Sequence, residues 1–129
     1  MTYLVYKFTV KPTGDFYIGI TVDLDRRMTS HFNAIKSFVK KLILMPASER
    51  ISCIGYALAA KNFVKGRRSL GNTDCFKQSM CSIEVIRTCY TKWSASIVET
   101  EYLQRHKDDF KCFNTEKISR YYTKKKDKS

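Results

Sequence analysis

The sequence predicts an α/β fold of the α+β kind: a small three-stranded antiparallel or mixed sheet flanked by helices, in the order ββααβα. Three observations predict it. Residues 3–10 and 16–21 are rich in β-forming side chains and flank a turn, which is typical of a hairpin. Apolar residues then recur at helical spacing, both after the hairpin and near residue 100. Between these helical stretches, residues 81–89 resemble a third strand, with Ile83, Val85 and Ile86.

The hairpin turn is predicted at residues 11–15, because Pro12 and Gly14 both interrupt regular structure there. A first helix is predicted from about Asp23, a plausible N-cap, to about Leu44. Arg27 and His31 lie four positions apart along the edge of its buried stripe, so both can reach a common site beside the hairpin. The stripe itself consists of Leu24, Met28, Phe32, Ile35, Phe38, Val39 and Leu42.

The second helix is predicted to follow Pro46, with Ser48 as its cap, and to end near Gly66. Its apolar face would consist of Ile51, Ile54 and Leu58. Residues 66–74 resemble a mobile loop, and a third helix is predicted from Thr91 or Lys92 to His106.

Two carboxylates of the third helix differ in predicted orientation. At about 100° per residue, Glu99 shares the inward face of the helix with Ala95 and Leu103. Glu101 falls on the outer face, four positions before Arg105, which is an ordinary surface pairing. An unpaired charge in an apolar interface is costly, so a metal ion or an arginine is expected beside Glu99.

The charge of the chain indicates a polyanionic partner. Lysine and arginine number 24 against 12 acidic residues, a formal net charge of +12. Nucleic acid is the favoured partner; a solvated basic surface, a ribosomal protein or a membrane-surface protein are the other interpretations. The tail has two interpretations, DNA contact or a solvated disordered segment. The residues predicted to contact phosphate are Arg26, Lys61, Lys65, Arg67, Arg68 and Arg120. The start of the tail, Glu116 and Lys117, is included with them because of the positive charge of Lys117.

Five cysteines with irregular spacing and no C-x-x-C motif argue against a disulfide framework and against a zinc site. They predict reduced thiols in a cytoplasmic setting, several of them filling the core. The longest apolar stretches are too short to span a bilayer, so no membrane is expected. The first residues lack the basic start and apolar core of a signal peptide.

Several residues become informative only together. Tyr6, Tyr17, Arg27, His31 and Asn114 would each ordinarily serve packing, a solvated helix surface or a turn. Tyr6 precedes Tyr17 by eleven positions, which suits two strands of one hairpin, and Arg27 follows ten later, which suits a first helical turn. The set resembles the GIY-YIG nuclease family. Residues 17–19, Tyr-Ile-Gly, match its second tripeptide, and residues 4–6, Leu-Val-Tyr, are a degraded version of its first.

The resemblance covers residues 3–115 and implies a metal-dependent DNA endonuclease that hydrolyses phosphodiester bonds, most often in double-stranded DNA. In that family the late glutamate, here Glu99 ahead of Tyr102 and Leu103, binds the metal, expected to be Mg²⁺ or Mn²⁺. By the same resemblance, Arg27 would hold the phosphate. One signature tyrosine would act as base; we favour Tyr17, with Tyr6 orienting the water, although the sequence does not separate them.

The remaining two residues have supporting roles under this resemblance. His31 would contact phosphate or relay a proton, and Asn114 would fix the site by hydrogen bonds. Two departures stand out: Leu4 replaces the first glycine of the family, and Val22 replaces a frequent basic residue for which Arg26 could substitute.

The expected organisation is a nuclease-like domain over residues 1–115 and a basic tail over residues 116–129. No further DNA-binding motif is apparent, which predicts a stand-alone, phage-type enzyme with relaxed or short-sequence specificity, acting in the host cytoplasm. Double-strand cutting would need a homodimer or sequential nicks. The rival interpretations are a non-catalytic basic nucleic-acid-binding protein that retains the fold, and an RNA-directed role.

Overall fold

A computed structural model describes residues 1–44, 54–65 and 74–115 of the chain. Within them the order of elements is ββααβα, and the sheet is antiparallel, so the predicted fold class is confirmed. A short 3-10 helix, Gln78–Met80, precedes the third strand. The elements are β1 (Tyr3–Val10), β2 (Asp15–Thr21), α1 (Leu24–Leu44), α2 (Gly55–Val64), β3 (Cys81–Cys89) and α3 (Lys92–Arg105).

The sheet has the strand order β2-β1-β3, with β1 in the centre. In the hairpin, Tyr6 pairs with Gly19 and Phe8 pairs with Tyr17. The two signature tyrosines are therefore diagonal neighbours on one face, because side chains two residues apart point the same way. Opposite Tyr6 the register with β3 shifts by one residue, a bulge of the kind often found next to active sites.

Two separate hydrophobic clusters cover the two faces of the sheet. One face packs against α1 and α2 through Tyr6, Phe8 and Val10 of β1. The other packs against α3 through Val5 of β1 and Ile18 of β2. The alternation along the central strand is what divides its side chains between the two layers.

The predicted cap of the first helix is present, and the third helix has a cap at one of the two residues where it was predicted to begin. The backbone N–H of Arg26 donates to Asp23 Oδ1 at 3.1 Å, so Asp23 caps α1 as predicted. Thr91 accepts from the backbone N–H of Ser94 at 3.0 Å and starts α3. The Asp23 cap holds the first turn of α1, which carries Arg27.

The predicted start of the second helix was wrong. Ile54 lies outside the helix with extended backbone and is exposed, whereas it was expected on the apolar face. Gly55 opens α2 with a φ of +58°, a conformation that glycine adopts readily and that a right-handed helix cannot pass through. The core face of α2 consists instead of Ala57, Ala59, Ala60, Phe63 and Val64. Pro46, Ser48, Ile51 and Gly66 lie outside the described residues, as does most of the predicted 66–74 loop.

The free edge of β2 is covered by the segment after α3. Phe16 forms a parallel bridge with Cys112, and the N–H of Phe113 donates to the carbonyl of Phe16 at 2.9 Å. At the start of β2, the buried Asp15 accepts two hydrogen bonds of 3.2 Å from the amide of Asn62, which ties the hairpin to α2. Within the described part of the chain, no helix is long and apolar enough to cross a membrane.

Candidate active site

The centre of the site is a cluster of four rings, Tyr6, Tyr17, His31 and Tyr56, which we call the tyrosine–histidine cluster. It lies between the hairpin, α1 and α2. The His31 ring is 4.7 Å from that of Tyr17 and 5.6 Å from those of Tyr6 and Tyr56, measured between centroids. The Tyr17 and Tyr56 rings stack at 6.3 Å with only 17° between their planes. The hairpin and the first helix thus bring together Tyr6, Tyr17 and His31, as their spacing predicts.

Hydrogen bonds join three of these four rings. Tyr6 Oη lies 2.6 Å from His31 Nε2, and Tyr56 Oη lies 2.7 Å from His31 Nδ1. His31 is fully buried. Burial lowers its pKa from 6.5 to about 4, and the positive charge of Arg27 contributes in the same direction. The imidazole is therefore neutral at physiological pH, and both of its nitrogens are engaged by tyrosines.

Tyr6 is the most deeply buried of the tyrosines, with none of its surface exposed. Burial is the main cause that raises its pKa well above the usual range. Tyr17 and Glu99 raise the pKa further, while Arg27 opposes the shift. The charged phenolate form of Tyr6 is therefore disfavoured.

Gly19 makes room for the Tyr6 hydroxyl. A Cβ atom at this position would lie 2.5 Å from Tyr6 Oη and 2.9 Å from Tyr17 Cε1, both closer than real Cβ atoms approach. The glycine of one strand is therefore required by the tyrosines of both strands. This is a physical reason for a glycine at the end of the Tyr-Ile-Gly tripeptide.

Arg27 lies at the margin of the cluster, exposed in the first turn of α1. Its charge acts on Tyr6, His31 and Tyr56, since it lowers the pKa of each. Beside it opens a cavity of about 500 Å³, which Lys92 and Val22 also line. The two exposed cations, Arg27 and Lys92, make this cavity attractive to an anionic substrate.

Asn114 binds β2, the strand that contains the Tyr-Ile-Gly tripeptide. Its Oδ1 accepts from the backbone N–H of Ile18 at 2.9 Å, and its Nδ2 donates to the Ile18 carbonyl at 2.8 Å. The amide thereby imitates the backbone of a neighbouring strand at the free edge of β2. The contact joins residues 96 positions apart and holds the residue next to Tyr17 in place.

A comparison with known protein families decides the family. The family model of the GIY-YIG catalytic domain matches residues 2–117, nearly the whole chain. The chain belongs to the GIY-YIG family. Its catalytic domain is that of a phosphodiester hydrolase, so the chain is an enzyme of the nuclease kind, with DNA as substrate. Searches of curated proteins and of solved structures found no match.

The two acids of α3 differ as the helical phase predicts. Glu99 is half-buried on the side of the helix that faces the sheet, and Glu101 is exposed. The carboxylate of Glu99 is also close enough to the tyrosine–histidine cluster to raise the pKa of Tyr6. Its proposed part in a GIY-YIG site is therefore compatible with its position.

The GIY-YIG family typically uses a divalent metal. Among the described residues, no group of three or more histidine, cysteine or acidic side chains could hold a metal ion by itself. Magnesium often binds through one or two carboxylates, several waters and substrate phosphates rather than a full protein cage. The half-buried carboxylate of Glu99, close enough to Tyr6 to raise its pKa, fits that mode of binding.

The two departures from the GIY-YIG pattern lie in well-formed structure. Leu4 continues β1, where it pairs with Thr21 on one side and Thr88 on the other. Val22 lines the cavity beside Arg27 and is 55% exposed, so this rim is apolar where a basic residue is frequent. Arg26, expected to substitute for it, is also exposed and adjacent to Arg27.

Sequence reasoning missed Tyr56. The predicted second helix placed it within a longer helical stretch and assigned no role to its hydroxyl. In the structure it is half-buried near the start of α2 and contacts both His31 and Tyr17. No local pattern in the sequence indicated this orientation, because the turn at Gly55, directly before Tyr56, was not apparent there.

The predicted phosphate contacts are only partly described. Arg26 and Lys65 are exposed, and Lys61 is half-buried on α2. Their positions allow contact with a polyanion at the surface of α1 and α2. The others lie outside the described residues: Arg67, Arg68, Glu116, Lys117 and Arg120.

Proposed function

We propose that this protein is a metal-dependent DNA endonuclease of relaxed or short-sequence specificity. The observation that carries the proposal is the joint placement of Tyr6, Tyr17 and His31 in one cluster, with the Arg27 guanidinium at its margin. A phosphodiester is anionic and must be held and neutralised before water can attack it. Arg27 is exposed and charged, and it can contact a phosphate without leaving its place at the cluster.

The tyrosines divide the work in this proposal. Tyr17 is half-buried within the ring cluster, at whose margin Arg27 lies, and acts as the base that takes the proton of the attacking water. Tyr6, fully buried and bonded to His31, helps to orient that water through its oxygen. Because burial disfavours the charged form of Tyr6, the proton acceptor is better placed at Tyr17.

The other residues support these two. Glu99 would hold a Mg²⁺ or Mn²⁺ ion, which when bound neutralises charge on the phosphate as a Lewis acid. His31 has both nitrogens hydrogen-bonded to tyrosines, which favours the relay role over direct phosphate contact. Asn114 keeps β2, and with it Tyr17, in register.

The wider organisation follows the same proposal. The matched family domain extends over residues 2–117, which supports a nuclease domain over about residues 1–115 followed by a basic tail. The tail and the basic residues of α2 would contact the DNA backbone, giving affinity without sequence reading. A homodimer would place two sites on one duplex, while a monomer would nick. Phage origin and a cytoplasmic setting remain predictions.

The test uses supercoiled plasmid. Wild type should nick or linearise it with Mg²⁺ and not with EDTA. Glu99→Gln should lower the rate by at least about a hundredfold while DNA binding is kept, because only a carboxylate is lost. Glu101→Gln is the matched control: it makes the same change two positions away on the exposed face, and should cut normally.

Three results would contradict the proposal or a part of it. Retardation of the plasmid without cleavage under any divalent metal would support the non-catalytic binder instead. Preferred binding to an RNA duplex over a DNA duplex of the same sequence would favour the RNA-directed role, since A-form grooves present a different surface. Reversed phenotypes of the two glutamate variants would assign the metal to Glu101.

A further inference from the structure

The hydrogen-bond chain through His31 has a direction that the positions of its partners determine. A neutral imidazole carries one N–H donor and one acceptor nitrogen. Because Tyr6 and Tyr56 occupy the two nitrogens, one tyrosine must donate to the ring and the other must accept from it. Two arrangements satisfy this condition, and they differ in which tyrosine keeps an O–H for another partner.

In the first arrangement, Tyr56 donates to Nδ1, and Nε2–H donates to the Tyr6 oxygen. The O–H of Tyr6 then needs another acceptor, but Tyr6 is fully buried, and among the described residues His31 is the hydrogen-bond partner of its hydroxyl. Leaving a buried donor without a partner is costly. In the protein without DNA or metal, this arrangement is therefore disfavoured.

In the second arrangement, Tyr6 donates to Nε2, and Nδ1–H donates to the Tyr56 oxygen. The remaining O–H belongs to Tyr56, which is half-buried and can donate to water at the surface of the protein. Every buried donor then has its acceptor. The hydrogen-bond chain runs from the buried Tyr6, through the imidazole of His31, to the more exposed Tyr56.

We propose that Tyr56 is a positioning residue of the active site, which accepts the Nδ1 proton of His31 and thereby keeps Nε2 as the acceptor for Tyr6. The inference rests on the proposed nuclease function, because it concerns how that site is held. With its proton directed at His31, the Tyr6 hydroxyl presents its lone pairs away from the ring. A hydroxyl of fixed direction can orient a water molecule, whereas a freely rotating one cannot.

The ring of Tyr56 adds a second constraint. It stacks on Tyr17 and lies 6.0 Å from the ring of Phe113, between centroids. One side chain of α2 thus touches the proposed base through its face and the histidine through its hydroxyl. A phenylalanine would keep the stacking and lose only the hydrogen bond, so Tyr56→Phe separates the two contributions.

The first measurement is the tautomer of His31, read from the ring ¹⁵N shifts of the labelled full-length protein without DNA or metal. The chain has two histidines, so His106→Gln assigns the spectrum. Wild type should show the Nδ1–H tautomer. In Tyr56→Phe, neither arrangement satisfies every buried donor, so a mixture of tautomers is expected. The Nε2–H form in wild type, or an unchanged spectrum in Tyr56→Phe, would overturn the proposal.

The second measurement is kinetic. Tyr56→Phe should lower kcat about tenfold with little change in KM, since the residue positions others rather than binding DNA. Tyr102→Phe is the control, a half-buried tyrosine on α3 at the other face of the sheet, and should cut normally. Unchanged kcat in Tyr56→Phe would contradict the role. A wild type that does not cut would refute the nuclease proposal, while the tautomer measurement would still stand by itself.

Discussion

The two sides of the central sheet build their parts of the site in different ways. On the side of α1 and α2, Tyr6 and His31 are fully buried, and their hydrogen bonds are part of the hydrophobic core. On the side of α3, and at the margin near Arg27, the charged groups are half-buried or exposed. The rings are therefore oriented by packing, whereas the charges remain available to substrate. Substitutions on the first side should change stability and activity together, and substitutions at the charged margin should change activity alone.

The largest expected effect is at the margin. Arg27→Ala should lower the cleavage rate about a hundredfold to a thousandfold, because it removes the cation that stabilises charge developing on the phosphate. Its melting temperature should stay within about 2 °C of wild type, since an exposed surface residue contributes little to stability. Plasmid cleavage and thermal melting measure the two effects. Lys41→Ala, exposed near the end of the same helix, is the control. A large loss of stability in Arg27→Ala would contradict the expectation that substitutions at the charged margin change activity alone.

The next effect is a pH dependence of stability that originates on the buried side. The pKa of His31 is lowered from 6.5 to about 4, so between these values the unfolded chain binds a proton that the folded chain does not. The free energy of unfolding should therefore be greatest above pH 6.5 and fall as the pH falls toward 4, by about 3 kcal/mol at most. Urea unfolding from pH 7 to pH 4.5 measures the loss.

His31→Gln should remove this part of the pH dependence, although it also lowers the stability at pH 7. His106→Gln should leave it in place, because His106 lies partly exposed at the end of α3. If wild type and His31→Gln lost stability with the same slope between pH 6.5 and pH 4.5, the buried neutral histidine would not be its source.

A smaller effect is expected at Gly19, where the absence of a side chain leaves room for the Tyr6 hydroxyl. Gly19→Ala would force the Tyr6 hydroxyl or the strand to move, and should cost about 1–3 kcal/mol of stability. Cleavage should fall about tenfold, as the bond from Tyr6 to His31 is displaced. Gly14→Ala is the contrasting variant, since its Cβ would meet open space and only its φ of +79° is strained. Full activity in Gly19→Ala would show that the hydroxyl need not be held there.

The features that could be predicted from the sequence are those that depend on neighbouring residues in the chain. Both signature strands and β3 were placed to within a residue, because alternation and turn residues are local features. The cap Asp23 and the start of the third helix at Thr91 or Lys92 were also predicted from local residues. The inward phase of Glu99 followed from the helical period alone. These features depend on neighbours in the chain, and the sequence contains them directly.

What was missed depends on packing between distant segments. The second helix was predicted to start too early because nothing in the local pattern revealed the turn at Gly55. As a result, the orientation of Tyr56 was not anticipated, and His31 was considered for phosphate contact although both its nitrogens face tyrosines. Each of these contacts joins residues 25 positions apart and depends on how α1 lies against the hairpin or against α2.

The hydrogen bonds of Asn114 also impose an order in time. The signature hairpin can form as soon as its own residues have left the ribosome, because its contacts are local. The outer edge of β2 is hydrogen-bonded by Asn114, which lies 96 residues after Ile18 in the chain. Until Asn114 is synthesised, that edge is open and the strand that carries Tyr17 is held from one side only. The site is therefore complete only after Asn114 has been synthesised, and the exchange rate of the Ile18 amide reports when the edge is closed.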